Sequence, residues 1–292
     1  MFLFIAFLFS IILLSACSSS TDEVVQEQKS RVTVDFSTFQ VEVEDMGGGS
    51  RTTLALSDVA SRLSFAVFDV EGALVEGSTI HQVSTDAGFG SVEMELYPGS
   101  YKMVAVAHSG SDNADIESAT SVILPGTTFT DTFTKVDVFT VVSNQNSNLS
   151  RTLDRITSAF ILRLNDTPPA TANRIEVILY NGGPTPNPLS FNPSTGFAAE
   201  NWSQTCSISI EDMVDETPDY IYYIGKSSPL YVTVKATAYD SDNNKIIHHV
   251  ISNVPLNPNQ KTVATGTFFQ SSASGTFTIT SDWNNTNNEV GY

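Results

Sequence analysis

Apolar residues in this chain recur mostly with a period of two. Val32–Val43 reads VTVDFSTFQVEV, apolar and polar by turns, which predicts a strand with one face buried. GGGS at 47–50 ends it. LSFAVFDV at 63–70 predicts a second strand, closed by a turn at Glu71-Gly72. Ser91–Leu96 and Tyr101–Ala107 flank Pro98-Gly99 and predict a hairpin. Phe133–Val142 predicts another strand. The polar stretch SNQNSNLS at 143–150 then interrupts the pattern and marks a domain boundary. Strands resume at Ile156–Leu164 and Ile175–Tyr180, and residues 181–205 read as loop. Tyr220–Ile224, Leu230–Tyr239, Lys245–Ile251, Val263–Phe269 and Thr276–Thr280 complete the set. No segment carries a sustained helical period, and Leu54–Leu63 reads as a short helix or turn. Strands at this spacing predict an all-β chain of antiparallel sandwiches. Its length suits two of them, 31–150 and 151–292.

The first fourteen residues break this pattern. They are apolar but for one Ser and would span about 21 Å as a helix, short of the roughly 30 Å hydrocarbon core. They suit the apolar region of a signal peptide better than a membrane span. Leu14-Ser15-Ala16-Cys17 follows and resembles the bacterial lipobox. Cleavage between Ala16 and Cys17 would leave Cys17 as the first mature residue, diacylated through sulfur. Residues 1–16 are thus expected to be a lipoprotein signal peptide, although no Lys or Arg precedes the apolar run. The polar residues 17–30 are expected to form a flexible tether. Acyl chains contribute about 0.8 kcal/mol per buried methylene, enough to hold such a chain on a membrane.

Composition removes several functions. Acidic residues outnumber basic ones 32 to 14, for a net charge of −18. Phosphate backbones would repel that surface, so nucleic acid is not an expected partner. With Cys17 acylated, Cys206 has no partner within the chain for a disulfide or a cysteine zinc site. The histidines are His81, His108, His248 and His249. None sits in a GxSxG, HExxH or phosphate-loop motif, and all four read as surface or half-buried strand residues. His248 and His249 would point to opposite faces of a strand. YDSDNNK at 239–245 spaces Asp240, Asp242 and Asn244 like half of a calcium loop, but Lys245 replaces the glycine and Ile251 the closing Glu. A hairpin turn is the expected role. Neither an enzyme nor a cofactor is indicated. Trp202, in a loop-like stretch, is the candidate for stacking on a glycan, although packing explains strand aromatics as well.

Five stretches carry a family resemblance by their order: SRLSFAVFDVEGALV (61–75), VEMELYPGSYKMVAVAHSG (92–110), TDTFTKVDVFTV (130–141), RTLDRITSAFILRL (151–164) and NVPLNPNQKTVATGTFF (253–269). With the lipobox, they resemble the FimB/Mfa-type fimbrial subunit family of the fimbrillin superfamily. The resemblance implies two tandem transthyretin-like antiparallel β-sandwich domains on a surface-exposed outer-membrane lipoprotein. It also implies other fimbrial subunits as partners. In polymerising members an Arg-specific protease removes the first strand, and the open groove accepts a strand from the next subunit. Anchor members keep that strand and their lipid. Here Arg51, after GGGS, is the candidate cleavage site, with Thr52 as the new N-terminus; Arg31 is a second, but cutting there would leave the strand in place. The tail after Trp283, NNTNNEVGY, lacks the alternating apolar residues of a donor strand. An anchor or accessory subunit is therefore expected. The alternative is a surface module holding a glycan or host protein.

Overall fold

The computed structural model describes residues 28–43, 50–185, 187–196, 198, 202–210, 221–223, 230–270 and 277–281. The expected signal peptide, Ala16 and Cys17 lie outside them, as does most of the tether. Before residue 150 the strands are β1 (Ser30–Asp35), β2 (Thr38–Val43), β3 (Ser50–Ala55), β4 (Arg62–Phe68), β5 (Ile80–Val83), β6 (Ser91–Leu96), β7 (Gly99–His108), β8 (Asp115–Ser118), β9 (Ser121–Leu124), β10 (Thr132–Val141) and β11 (Ser147–Ser150). After it come β12 (Asp154–Arg155), β13 (Ser158–Leu164), β14 (Ala172–Tyr180), β15 (Leu189–Phe191), β16 (Ser203–Ser209), β17 (Ile221–Tyr223), β18 (Leu230–Asp240), β19 (Lys245–Leu256), β20 (Lys261–Gly266) and β21 (Phe277–Ser281). Leu54–Leu63 holds only one 3-10 turn, Leu56–Asp58. Among the described residues no helix is long and apolar enough to cross a membrane.

The fold is an all-β sandwich. A sheet ordered β11-β1-β6 covers one face of a sheet ordered β12-β10-β7-β4-β5. Further on, β17-β13-β20-β21 packs against β16-β14-β18-β19. A small sheet, β15-β9-β8, joins strands from before and after residue 150. Most pairs are antiparallel, but β1 with β11 and β13 with β20 run parallel.

The run LSFAVF is continuous rather than alternating because β4 is buried on both sides. Leu63, Phe65 and Val67 enter the core under β1, while Ala66 and Phe68 enter the core that the second half fills. β7 divides likewise, Met103, Ala105 and Ala107 one way and Val104 and Val106 the other.

Two expected elements are corrected. Val32–Val43 is two strands. Its apolar residues occupy even positions up to Phe36 and odd positions from Phe39, so one strand would have sent them to opposite faces. The break falls at Ser37, whose N–H donates to Asp35 Oδ1 at 2.8 Å. Nor is the hairpin at Pro98-Gly99 formed. β6 pairs with β1, β7 pairs with β4 and β10, and the turn is a corner between two sheets. The Tyr101 hydroxyl ties this corner by donating to the Tyr97 carbonyl at 3.0 Å.

Candidate functional site

The seat of β1 is the most complete constructed feature near the N-terminus. β1 pairs antiparallel with β6 from Ser30↔Leu96 to Asp35↔Ser91, and parallel with β11 from Val32↔Ser147 to Asp35↔Ser150. It is thus a central strand. Val32, Val34 and Phe36 are essentially fully buried, and the Phe36 and Phe65 rings lie 6.2 Å apart. Arg31 points outward to Glu93 at 3.4 Å. Both ends are pinned. Ser30 Oγ donates to the Val142 carbonyl at 3.0 Å, and Phe36 N–H donates to the Gly90 carbonyl at 2.6 Å. Gly90 has φ +91°, and a Cβ there would lie 2.8 Å from Ser37 Cα. The seat therefore closes over the strand end only because residue 90 has no side chain.

Burying Val32, Val34 and Phe36 contributes about 5–8 kcal/mol as an upper estimate. Withdrawing β1 would open two strand edges at once, on β6 and β11, above an apolar floor. That geometry accepts an added strand.

Arg51 and Thr52 lie in β3. Arg51 is opposite Glu42 and Thr52 opposite Val41 in a hairpin with β2. Its base is held by Leu56 N–H donating to the Ser37 carbonyl at 3.0 Å. A cut after Arg51 would fall within a paired strand; the three glycines before it lie outside the described residues. Arg31, the second expected cut, lies inside β1.

Trp202 is corrected. It is 1% exposed, inside the second core, with its ring centroid 5.0 Å from that of Phe129 in an edge contact. A sugar cannot stack on it. It lies outside the strands, just before β16, and its cover, Phe129, comes from the other side of residue 150, which the neighbouring sequence does not reveal. Cys206 is half-buried on β16 against the same core.

The polar groups resolve into cross-strand pairs and turns. His81 Nδ1 lies 2.9 Å from Ser64 Oγ, and His248 Nδ1 lies 2.8 Å from Thr237 Oγ1. His249 points the other way, with Nε2 2.7 Å from the Phe268 carbonyl and its ring against Phe268 and Phe277. His108 is neither surface nor half-buried: it is wholly enclosed at the end of β7, with Nδ1 accepting from Gly110 N–H at 3.1 Å. Burial pushes its pKa down to about 4, aided by the Arg62 guanidinium. Asp240 accepts from the N–H groups of Asp242 (2.9 Å) and Asn244 (2.8 Å) and from Asn244 Nδ2 (3.0 Å). These bonds hold its carboxyl below the ordinary carboxylate range, led by those from Asn244. The calcium-like stretch is a turn.

Sequence reasoning passed over two anchors, one buried and one half-buried. Asp131 pairs with Arg155 at 3.0 Å and accepts from Thr157 Oγ1 at 2.7 Å, with the guanidinium 4.8 Å from the Phe133 ring centroid. Burial pushes the Asp131 pKa up, while Arg155 and Thr157 hold it down. Asp166 accepts from the N–H groups of Phe268 (2.7 Å), Phe269 (2.6 Å) and Gln270 (3.1 Å). Its signal was Asn165-Asp166-Thr167-Pro168 at a strand end, a common setting for Asx bonding.

Comparison with known proteins adds the following. The model of a family of unknown function (DUF6562) matches residues 26–290. No curated protein is matched by sequence. A candidate cell adhesion protein from Bacteroides eggerthii has a similar structure, with TM-score 0.50 and 11% identity, over 87% of this chain and 96% of that one. A candidate adhesin from Bacteroides thetaiotaomicron has TM-score 0.50 and 10% identity, over 90% and 100%. The fimbrial anchor protein Mfa2 from Porphyromonas gingivalis has TM-score 0.45 and 15% identity, over 87% and 97%. At these identities the likeness is one of fold.

Proposed function

The chain belongs to the DUF6562 family of unknown function, and we propose that it is a cell-surface fimbrial anchor or accessory subunit rather than an enzyme. The observation that carries this reading is β1, seated as a central strand and pinned at both ends. A subunit that retains this strand has its own groove filled and can end or anchor a row of subunits. The fold agrees with it, being that of proteins described as adhesins, and the described name of one similar structure is a fimbrial anchor. Within the proposal, Ala16–Cys17 is the signal cleavage site, Cys17 carries the lipid, and the outer membrane is the location. Other fimbrial subunits are the partners, through sheet edges. Residues 31–150 and 151–292 are its two sandwich units. Arg51 is a conditional maturation site whose cleavage would convert an anchor into a polymerising subunit.

The test is the intact mass and N-terminal peptide of the native protein, from sheared filaments and from washed outer membrane. The expected result is an acylated Cys17 in the membrane fraction, still joined to Val32–Val43. An N-terminus at Thr52 in the filament fraction would overturn the anchor reading. The alternative, a glycan-binding module, loses its motivating residue with Trp202 in the core.

A further inference from the structure

The outer face of the β16-β14-β18-β19 sheet differs in character from the rest of this acidic molecule. Cross-strand register places Tyr180 and Thr233 side by side, then Lys235 beside Val250, Thr237 beside His248, and Arg174 beside Tyr239. Tyr231 is 56% exposed, Val250 54%, and Tyr180 and Ile246 37% each. Two cations lie over tyrosine rings: Lys235 Nζ 4.1 Å from the Tyr180 centroid, and the Arg174 guanidinium 4.3 Å from that of Tyr239. With Lys245, three of the chain's 14 basic side chains lie on this sheet, alongside the outward carboxylate of Glu176 between Ser207 and Thr237, so the face carries a net positive charge. The local potential is visible at His248, whose pKa is lowered by burial and then by Lys245, His249 and Lys235. Exposed Tyr, Arg and aliphatic groups are what contact surfaces are made of.

A complementary face exists on the same molecule. The outward residues of the β11-β1-β6 sheet include Asp35, Glu93 and Glu95, with Arg31 as the cation among them. It is acidic, where the other face carries a net positive charge. We propose that the basic face docks a second copy of this chain through that copy's acidic face. The contact is head-to-tail, so it does not close on itself and builds rows of subunits. Strands about 4.8 Å apart, two of six residues and one of four, cover roughly 250 Å² per side, so the pair buries roughly 500 Å². This is the size class of weak contacts, which become effective where copies are concentrated on one surface. The inference rests on β1 staying in its seat, as in the anchor reading. Glu95 belongs to β6 and keeps its place in the chain whatever happens to β1.

The test is sedimentation velocity of the full chain in mild detergent, across a concentration series at low and high salt. Wild type should associate at low salt and dissociate at high salt. Lys235→Glu and Glu95→Lys should each weaken association at least about tenfold. An equimolar mixture of the two should restore it, because each altered face then meets its opposite. Unchanged melting midpoints show that both variants fold. The proposal is overturned if wild type stays monomeric throughout, or if its association ignores both substitutions. It is also overturned if the mixture associates no better than either variant. Lys235-dependent binding of heparin without self-association would assign the face to an acidic polysaccharide instead. The N-terminal peptide of the same sample separates these outcomes from failure of the anchor reading.

Discussion

His108 shows what one enclosed imidazole does to stability. Its pKa is about 4 in the folded chain against about 6.5 when unfolded, because burial disfavours the charged ring. The folded state therefore binds fewer protons than the unfolded state between these values. This contribution to stability is full above about pH 6.5 and falls as pH drops toward 4, by about 3 kcal/mol in all. Denaturant titrations at several pH values should show that slope, and His108→Gln should flatten it. An unchanged slope would place the acid sensitivity elsewhere. The Asp131–Arg155 pair behaves differently, since breaking a buried pair leaves one charge uncompensated. Arg155→Met should cost about 3–5 kcal/mol in the same titrations, and adding Asp131→Asn should recover much of it. Asp240, by contrast, has its carboxyl engaged by its own turn. Millimolar calcium should leave the melting midpoint where it is, and an upward shift would revive the calcium reading of YDSDNNK.

At the scale of elements, β1 is a strand whose two faces have unequal weight. Phe36→Ala removes a buried ring and should cost about 3–5 kcal/mol, whereas Thr33→Ala on the outer face should cost well under about 1 kcal/mol. Equal effects would mean that β1 is not seated. Gly90→Ala should also destabilise, by roughly 1–3 kcal/mol, through its positive φ and the Ser37 backbone it would strike. Strands of this apolar kind were legible in sequence. Ser91–Leu96 came out with its bounds, and β4, β7, β10, β14 and β18 within a few residues. The short strands were not. β11 lies in the polar stretch 143–150 because it pairs by backbone alone with β1 and needs only Leu149 on the core side. β8, β9 and β15 each have three or four residues: β8 and β9 form a tight hairpin with each other, and β15 depends on β9, remote in sequence. Pro98-Gly99 misled for a related reason. A turn signal reports that the chain reverses, not whether the next strand pairs or crosses to the facing sheet. The candidate site was legible as an alternating strand with Arg51 beyond it, but the phase change at Ser37, which splits that strand, was overlooked.

For the molecule as a whole, the division near residue 150 and the packing across it pull in different directions. Sequence marks a boundary there, and two sandwich units are proposed. Yet the second core holds Phe68, Val104 and Val106 from one side of it and Phe160, Ile175 and Trp202 from the other. β9 pairs with β15 across it, β10 with β12, and Thr134 Oγ1 donates to the Pro193 carbonyl at 3.0 Å. The Asp131–Arg155–Thr157 cluster spans the same junction. Linkers between independent domains carry few such contacts, and their domains melt separately. Here, separating the units would bare apolar surface on β4 and β7 and strip Trp202 of Phe129. The chain should therefore unfold in one cooperative transition, with calorimetric and van't Hoff enthalpies agreeing. Two resolved transitions would show that the shared core is too weak to couple the units. The distinction bears on the proposed function: if copies form rows, a molecule melting as one piece would transmit force through its core and leave the contacts between copies to yield first.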